Sequence, residues 1–247
     1  MPILSTQSLI KAYGGKRVVN GVDISLKEGE IVGLLGPNGA GKTTSFNMIV
    51  GLIKPTSGKV FFDETDITNM PMYQRARMGI GYLTQEMSIF RKLTVEENIL
   101  GILEMLEPDK NKQRRKLESL LDELKIAHLA KNMAYTLSGG ERRRVEIARS
   151  LTTSPSFMLL DEPFSGVDPI AVQDLQGVIY ELKKKGLGIL ITDHSVRETL
   201  EVTDRSYLLY EGNVEISGTA QELVSNERAR KLYLGEKFYM NTEASVK

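Results

Sequence analysis

The chain has 247 residues, of which 41% are apolar and 26% are charged, as in an ordinary folded globular protein. Its 32 basic and 32 acidic residues give no net charge, which argues against a protein that binds along nucleic-acid phosphates. The chain has no cysteine, which excludes disulfides and thiolate metal sites and is compatible with a reducing cytosol.

The start of the chain, Met1–Ser5, lacks the charged and apolar regions of a signal peptide. No stretch approaches the run of about 18 apolar residues that a membrane-spanning helix needs. If the protein works at a membrane, another protein must therefore hold it there.

Two kinds of strand pattern follow. Residues 3–30 alternate in polarity and contain turn signals at Gly14-Gly15 and Glu28-Gly29, which predict a small antiparallel sheet. Mainly apolar runs occur at Ile31–Leu35, Phe157–Leu160 and Leu187–Thr192. These runs predict buried strands, and the helical patterns between them predict a parallel sheet with covering helices. The expected fold class is therefore α/β.

The segment after the first apolar run matches the phosphate-binding pattern G-x-x-x-x-G-K-[ST]. It consists of Gly36, Pro37, Asn38, Gly39, Ala40, Gly41, Lys42 and Thr43, and a helical run from Thr44 to Val50 follows. Glycines let backbone N–H groups surround a phosphate, and the helix start adds partial positive charge. We expect Lys42 to reach the β- and γ-phosphate oxygens, Thr43 to ligate Mg²⁺, and Thr44 to lie in the nucleotide site.

Residues 87–150 contain few strand formers and predict a helical insertion in the α/β core. Thr94 and Glu97 have the spacing of a capping box, and Glu107-Pro108-Asp109 separates two helical patterns. The expected domains are an ATP-binding core with its antiparallel subdomain (1–86 and 151–225), a helical subdomain (87–150) and a tail (226–247).

A second capping-box pattern lies in Leu137-Ser138-Gly139-Gly140-Glu141, between Ser138 and Glu141. Gly139 and Gly140 leave backbone N–H donors at this helix start open to an anion. The alternative is an ordinary helix cap, and these residues alone leave both interpretations open.

Two acidic residues, Asp161 and Glu162, end the apolar run that begins at Phe157. Alone, such a pair is most often a solvated turn. In a chain with a phosphate loop, we expect Asp161 to hold Mg²⁺, directly or through water, and Glu162 to polarise the attacking water. Asp168 before Pro169 predicts a helix N-cap, and Ser195 with Glu198 predicts a further capping box.

The phosphate loop, Leu137–Glu141 and Leu160–Glu162 resemble the ABC ATPase family in order and approximate spacing. The resemblance implies a P-loop NTPase core of the RecA-like type, mainly a parallel sheet, with an N-terminal antiparallel β subdomain and a helical insertion. It implies a homodimer in which each γ-phosphate lies between the phosphate loop of one subunit and Ser138–Glu141 of the other. ATP and Mg²⁺ are the implied ligands, and ATP hydrolysis coupled to transport is the implied reaction.

Further positions match residues that have roles in this family. Gln85 resembles the glutamine that touches Mg²⁺ and the lytic water, and His194 resembles the switch histidine that contacts the γ-phosphate. Tyr13 resembles the aromatic residue that stacks on adenine. The chain departs from many relatives at Thr84, where they have proline, and at Gly166-Val167, where they have Ala-Leu.

A narrower resemblance links the chain to the ATPase subunits of bacterial lipopolysaccharide export transporters. It rests on the segments Gly81–Leu93, Gly140–Arg149, Thr192–Thr199 and Tyr233–Phe238. It implies a homodimer on the cytoplasmic face of the inner membrane, beneath two different membrane-spanning subunits that dock near Phe90 and Arg91. The alternative for Phe90 is that its ring packs the insertion onto the core.

Other functions remain open from the sequence. The nearest is the ATPase of a branched-chain amino acid importer, which has the same length and much of the same core. A non-transport ABC ATPase acting on ribosomes or DNA would carry two nucleotide domains or long coiled coils, and a P-loop kinase would not need the Ser138 helix. The aromatic tail is expected to cover either the partner subunit or the chain's own core, and Asn241–Lys247 to fray.

Overall fold

The computed structural model describes residues 1–235, 238 and 240. The predictions for Glu236, Lys237, Tyr239 and residues 241–247 lie outside the described residues. The strands are β1 (Ile3–Tyr13), β2 (Lys16–Val22), β3 (Ser25–Lys27), β4 (Ile31–Leu35), β5 (Ser57–Phe62), β6 (Thr65–Asp66), β7 (Ile80–Leu83), β8 (Phe157–Asp161), β9 (Gly188–Thr192), β10 (Arg205–Tyr210) and β11 (Asn213–Gly218). The helices are α1 (Lys42–Val50), α2 (Met72–Arg77), α3 (Val95–Leu106), α4 (Lys110–Glu123), α5 (Gly139–Leu151), α6 (Pro169–Lys184), α7 (Val196–Val202), α8 (Ala220–Ser225) and α9 (Glu227–Ala229), with 3₁₀ turns at Ala127–Leu129 and Ala134–Thr136 and a π turn at Arg230–Leu234.

An antiparallel sheet occupies the N-terminal part of the chain, as predicted. Its strand order is β2-β1-β5-β6, and β3 pairs with β1. The sequence predicted this sheet from residues 3–30 only. Strands β5 and β6 were missed because they come after α1 and join the sheet through long-range pairing, with Leu4 opposite Phe62 and Thr6 opposite Val60.

A six-stranded sheet with the order β11-β10-β4-β9-β8-β7 forms the core. All neighbouring pairs are parallel except β10 and β11. The three predicted core strands are confirmed, and every residue of β4, β8 and β9 is buried. Since these three strands are parallel neighbours, their carboxyl ends meet at one edge of the sheet. The phosphate loop, Glu162 and His194 each follow one of these ends.

Helices α3, α4 and α5 lie between β7 and β8, where the helical insertion was predicted. The Thr94 hydroxyl accepts a hydrogen bond from the Glu97 N–H at 3.2 Å, and the Glu97 carboxylate accepts one from the Thr94 N–H at 2.7 Å. This confirms the capping box that opens α3. The apolar residues of the three helices share one buried cluster with Leu83 and Leu160 of the sheet, so the insertion packs directly on the core. The domain boundaries stay a prediction.

The start of α7 differs from the prediction. Ser195 precedes this helix, but its side chain makes no capping hydrogen bond. Instead, the Asp193 carboxylate accepts the Ser195 N–H at 2.8 Å. Asp193 therefore accepts the Ser195 N–H that Glu198 would accept in a capping box. The predicted capping box of Ser195 with Glu198 is wrong.

The described part of the tail packs on the chain itself. Tyr233, Leu234 and Phe238 lie against a buried cluster that contains Leu35 of β4 and Leu208 of β10. Of the two alternatives for the tail, the described residues favour covering the chain's own core.

Candidate functional site

The loop between β4 and α1 depends on glycine for its shape. Gly36, Gly39 and Gly41 have φ values of 146°, 81° and 97°, in the region that residues with side chains rarely adopt. A Cβ atom at Gly36 would lie 2.2 Å from the Leu209 carbonyl oxygen, and one at Gly41 would lie 2.6 Å from the Val18 carbonyl oxygen. No side chain fits at these two positions, so the loop is bound closely between β10 and β2.

Lys42 holds the phosphate loop from within. Its side chain is buried, and the Nζ atom donates hydrogen bonds to the carbonyl oxygens of Gly36 at 2.6 Å and Pro37 at 3.0 Å. Burial lowers the pKa of Lys42, and the negative charge of Glu162 opposes that shift. An ammonium group and a helix N-terminus thus face the same loop, which is the arrangement that favours a bound anion.

Three predicted catalytic residues meet at Glu162. One oxygen of its carboxylate, Oε1, lies 2.8 Å from Nε2 of His194, and the other, Oε2, accepts a hydrogen bond from Nε2 of Gln85 at 2.7 Å. Glu162 itself has a φ of 49°, a strained value for a residue other than glycine. The fold therefore brings together residues that are far apart in sequence, and their catalytic roles stay predictions.

Asp161 is buried at the end of β8. Burial raises its pKa to about 6, with smaller contributions in the same direction from the negative charges of Glu162 and Asp193. Arg143 and His194 act in the opposite direction but do not offset burial. Burial, together with the two neighbouring carboxylates, therefore disfavours the charged form of Asp161.

The predicted metal ligands suit a magnesium ion that is shared with phosphate. Within the described residues, no three His, Cys, Asp or Glu side chains are grouped to hold a metal by themselves. Mg²⁺ is usually held by one or two carboxylates together with phosphate oxygens, and Asp161 with the Thr43 hydroxyl offers such donors. The Gln85 amide donates its N–H to Glu162, which leaves its carbonyl oxygen available as a further ligand.

The capping box at the start of α5 is present. The Ser138 N–H donates to Glu141 Oε2 at 2.8 Å, and the Glu141 N–H donates to Ser138 Oγ at 3.3 Å. The hydrogen bond from the Ser138 backbone is the main cause that lowers the pKa of Glu141. A Cβ atom at Gly140 would lie 2.6 Å from the Ala171 Cβ atom. Glycine is thus also needed here for close packing against the start of α6.

Tyr13 lies at the end of β1 with 51% of its surface exposed. Its ring has the Lys11 ammonium 5.0 Å from its centroid. The neighbouring strand β2 carries the Val18 carbonyl oxygen, from which a Cβ atom at Gly41 would lie only 2.6 Å away. An exposed ring on the sheet that borders the phosphate loop is a suitable surface for a base, and adenine stacking stays a prediction.

Comparison with known proteins decides the family. Residues 19–165, more than half of the chain, match the family model described as ABC transporter. The chain belongs to the ABC transporter family. It is thus an ABC ATPase, and the predicted family, fold class and type of enzyme are confirmed.

Similar proteins span nearly all of this ABC ATPase. It is 54% identical over 95% of its length to a probable ABC transporter ATP-binding protein of Azorhizobium caulinodans, of which it covers 84%. It is 51% identical over 96% of its length to the lipopolysaccharide export system ATP-binding protein LptB of Haemophilus influenzae, of which it covers 99%. The LptB of Escherichia coli K12 is 50% identical, with the same coverage of both chains.

Solved structures of ATP-binding cassettes have the same fold. The ADP conformation of an ATP-binding cassette of an ABC transporter superposes with a TM-score of 0.85 at 32% identity, over 96% of this chain and 100% of that one. A dimeric cassette in a post-hydrolysis state with ADP and phosphate superposes with a TM-score of 0.76 at 26% identity, over 88% of this chain and 98% of that one.

Sequence reasoning missed a buried ion pair behind the site. Arg143 donates to the carbonyl oxygens of Thr84 at 2.8 Å, Asp161 at 3.0 Å and Glu162 at 2.8 Å, and it pairs with Glu146 at 3.1 Å. In the sequence, Arg143 is part of a short basic run, Arg142–Arg144. Arg143 precedes the buried Ile147 by four positions, which places both on one helix face, and that spacing was the signal available.

Proposed function

We propose that this ABC ATPase is the ATP-hydrolysing subunit of a transporter that extracts lipopolysaccharide from the inner membrane for export to the outer membrane. The supporting observation is the 50–51% identity to proteins named for lipopolysaccharide export, over 96% of this chain and 98–99% of theirs.

The residues around Glu162 support hydrolysis of ATP by a positioned water. Glu162 accepts the proton of the water, whose oxygen attacks the γ-phosphorus while the bond to the bridging oxygen breaks and ADP leaves. His194 and Gln85 fix the two carboxylate oxygens of Glu162. Lys42 and the loop amides hold the β- and γ-phosphates. Mg²⁺ held by Thr43, Asp161 and Gln85 would neutralise charge on the phosphate oxygens.

A homodimer with two shared nucleotide sites completes this proposal. Ser138, Gly139, Gly140 and Glu141 begin α5 with N–H groups suited to an anion, yet the same chain already binds phosphate through its own loop. The dimeric relative bound to ADP and phosphate supports a second subunit as the source of that anion. Replacing Ser138 and its glycines should abolish ATP turnover, and unchanged turnover with the membrane subunits present would contradict the shared site.

Docking of membrane-spanning subunits near Phe90 and Arg91 is the last part of the proposal. The Phe90 ring is 56% exposed, which supports a binding surface rather than packing within the core. Among the described residues, no helix is long and apolar enough to cross a bilayer. We propose that the membrane-spanning subunits hold the protein on the cytoplasmic face of the inner membrane.

Depleting the protein in its host tests the cargo. We expect newly made lipopolysaccharide to accumulate in the inner membrane, measured by membrane fractionation after a labelling pulse. Loss of branched-chain amino acid uptake with normal lipopolysaccharide at the outer membrane would instead support the importer alternative.

A further inference from the structure

The segment that carries Phe90 is fixed although its ring is exposed. Asn98, which is buried on α3, accepts the Phe90 N–H at 2.8 Å and donates to the Phe90 carbonyl oxygen at 3.0 Å. Both backbone groups of Phe90 are thereby satisfied by one side chain. The Phe90 ring therefore projects from a fixed backbone, and a second contact sets the orientation of the ring plane.

Arg149 of α5 makes that second contact. Its guanidinium carbon lies 4.7 Å from the centroid of the Phe90 ring, and its Nη1 atom donates to the Ser88 carbonyl oxygen at 2.5 Å. Glu146, one turn earlier, accepts the Ser88 N–H at 2.6 Å. The same face of α5 thus holds both backbone groups of Ser88 and one face of the Phe90 ring.

The opposite end of α5 is the start at Ser138. Arg149 comes eleven positions after Ser138, which is about 16 Å along a continuous helix. If this helix moves as one body, a shift of the Phe90 ring would also shift the Ser138 end. Arg149 is the side chain through which the exposed ring touches this helix.

We propose that Arg149 is a positioning residue that sets the orientation of Phe90 for partner docking and transmits docking to α5. The inference rests on the proposed docking of membrane subunits at Phe90. A planar guanidinium stacks on an aromatic face while it donates a hydrogen bond in its own plane, whereas a lysine ammonium does not provide that flat surface. The lysine variant is therefore the informative one, because it keeps the charge and loses the stacking.

The experiment compares Phe90→Ala, Arg149→Lys, Arg149→Met and the double variant Phe90→Ala/Arg149→Met with the wild type. Arg115→Lys, at an exposed arginine of α4, is the matched control. Each is measured as the isolated chain, for ATP turnover and Tm, and after co-expression with the membrane subunits of its host, for co-purification and stimulated turnover. We expect turnover of the isolated chain within about twofold of wild type for both Arg149 variants.

Stimulated turnover should fall at least fivefold in Arg149→Lys and Arg149→Met, and the double variant should be no worse than Phe90→Ala alone. If Phe90→Ala itself keeps co-purification and stimulation, the docking site is wrong and the inference falls with it. If Phe90→Ala loses both while Arg149→Lys behaves as wild type, docking stands and the role of Arg149 is wrong. An equal loss of ATP turnover in the isolated chain would also overturn the role of Arg149. If Arg149→Met does not fold, the result for Arg149→Lys decides.

Discussion

Glu162 and His194 are in direct contact, with 2.8 Å between Oε1 of the carboxylate and Nε2 of the imidazole. Gln85 follows β7, which lies on the other side of β8 from β9, and it donates to the other carboxylate oxygen of Glu162. A carboxylate held at both oxygens cannot rotate freely, so its remaining lone pairs point in fixed directions. This geometry indicates that the Glu162 carboxylate positions one water molecule and does not merely add negative charge.

Replacing Glu162 by Gln removes the proton acceptor and keeps the shape. We expect ATP binding and a stable nucleotide-bound dimer, with hydrolysis slower by about 100-fold or more, the usual contribution of a general base. Single-turnover hydrolysis and size-exclusion chromatography with ATP measure the two effects. Glu86→Gln, at an exposed acid near the same site, should leave both unchanged. Wild-type hydrolysis in Glu162→Gln would show that another group is the base.

The two histidines of the chain provide a matched pair. His194 contacts Glu162, whereas His128 lies in an exposed 3₁₀ turn of the insertion. We expect His194→Ala to slow hydrolysis by at least about tenfold, because it releases one oxygen of Glu162 and removes the expected contact with the γ-phosphate. His128→Ala should hydrolyse ATP at the wild-type rate. Similar rates for the two variants would remove His194 from the catalytic group.

The ionised Asp161 carboxylate should destabilise the isolated protein, and replacing this residue should restore the lost stability. Because its pKa is raised from 3.8 to about 6, its folding contribution is most favourable below pH 4 and is lost as the pH rises through 6. Asp161→Asn stays neutral, so we expect it to gain about 1–2 kcal/mol at pH 7.5 after allowance for solvent screening. The gain should shrink as the pH falls from 6 towards 4.

Urea unfolding of the nucleotide-free chain at several pH values measures this gain, and ATP turnover measured in parallel should be lost. A variant that loses stability at pH 7.5 would show that the Asp161 carboxylate stabilises the fold. A pH-independent gain would point to a cause other than ionisation.

The place of the candidate site in the fold could be predicted because phosphate-binding chemistry needs particular residues at fixed spacings, while the roles of these residues stay predictions. The phosphate loop requires glycine at positive φ and a lysine at the helix start, and such requirements are visible in one segment. Asp161, Glu162 and His194 follow apolar runs that form parallel neighbours, so their meeting at one sheet edge follows from topology.

The features that the sequence did not predict depend on contacts between distant segments. The burial of Arg143 depends on Thr84 and the end of β8, which surround its guanidinium and lie far from it in sequence. Ser195 and Glu198 have the spacing of a capping box, yet the Ser195 N–H donates to the Asp193 carboxylate and not to Glu198. Local patterns rank the possible hydrogen bonds, and tertiary packing selects among them.

Arg75 is a further buried arginine that sequence reasoning missed, and it supports the phosphate-loop helix. Its side chain is only 1% exposed and donates to the carbonyl oxygens of Met48 at 2.8 Å and Ile49 at 2.6 Å, at the end of α1. It also donates to Met70 and Thr68. All four acceptors are backbone carbonyls, and burial lowers the pKa of Arg75 to about 10.

Arg75→Met should therefore destabilise the whole domain. The change leaves carbonyl groups at the end of α1 without donors, and each buried unsatisfied group costs about 1–3 kcal/mol. We expect a loss of about 3–5 kcal/mol and a fall in Tm of about 10 °C for a chain of this size. Arg77→Met, two positions later on an exposed side chain, should change stability by less than about 0.5 kcal/mol. Thermal unfolding at one scan rate and urea unfolding of both variants test this. Equal losses of stability in the two variants would mean that the hydrogen bonds of Arg75 do not stabilise the fold.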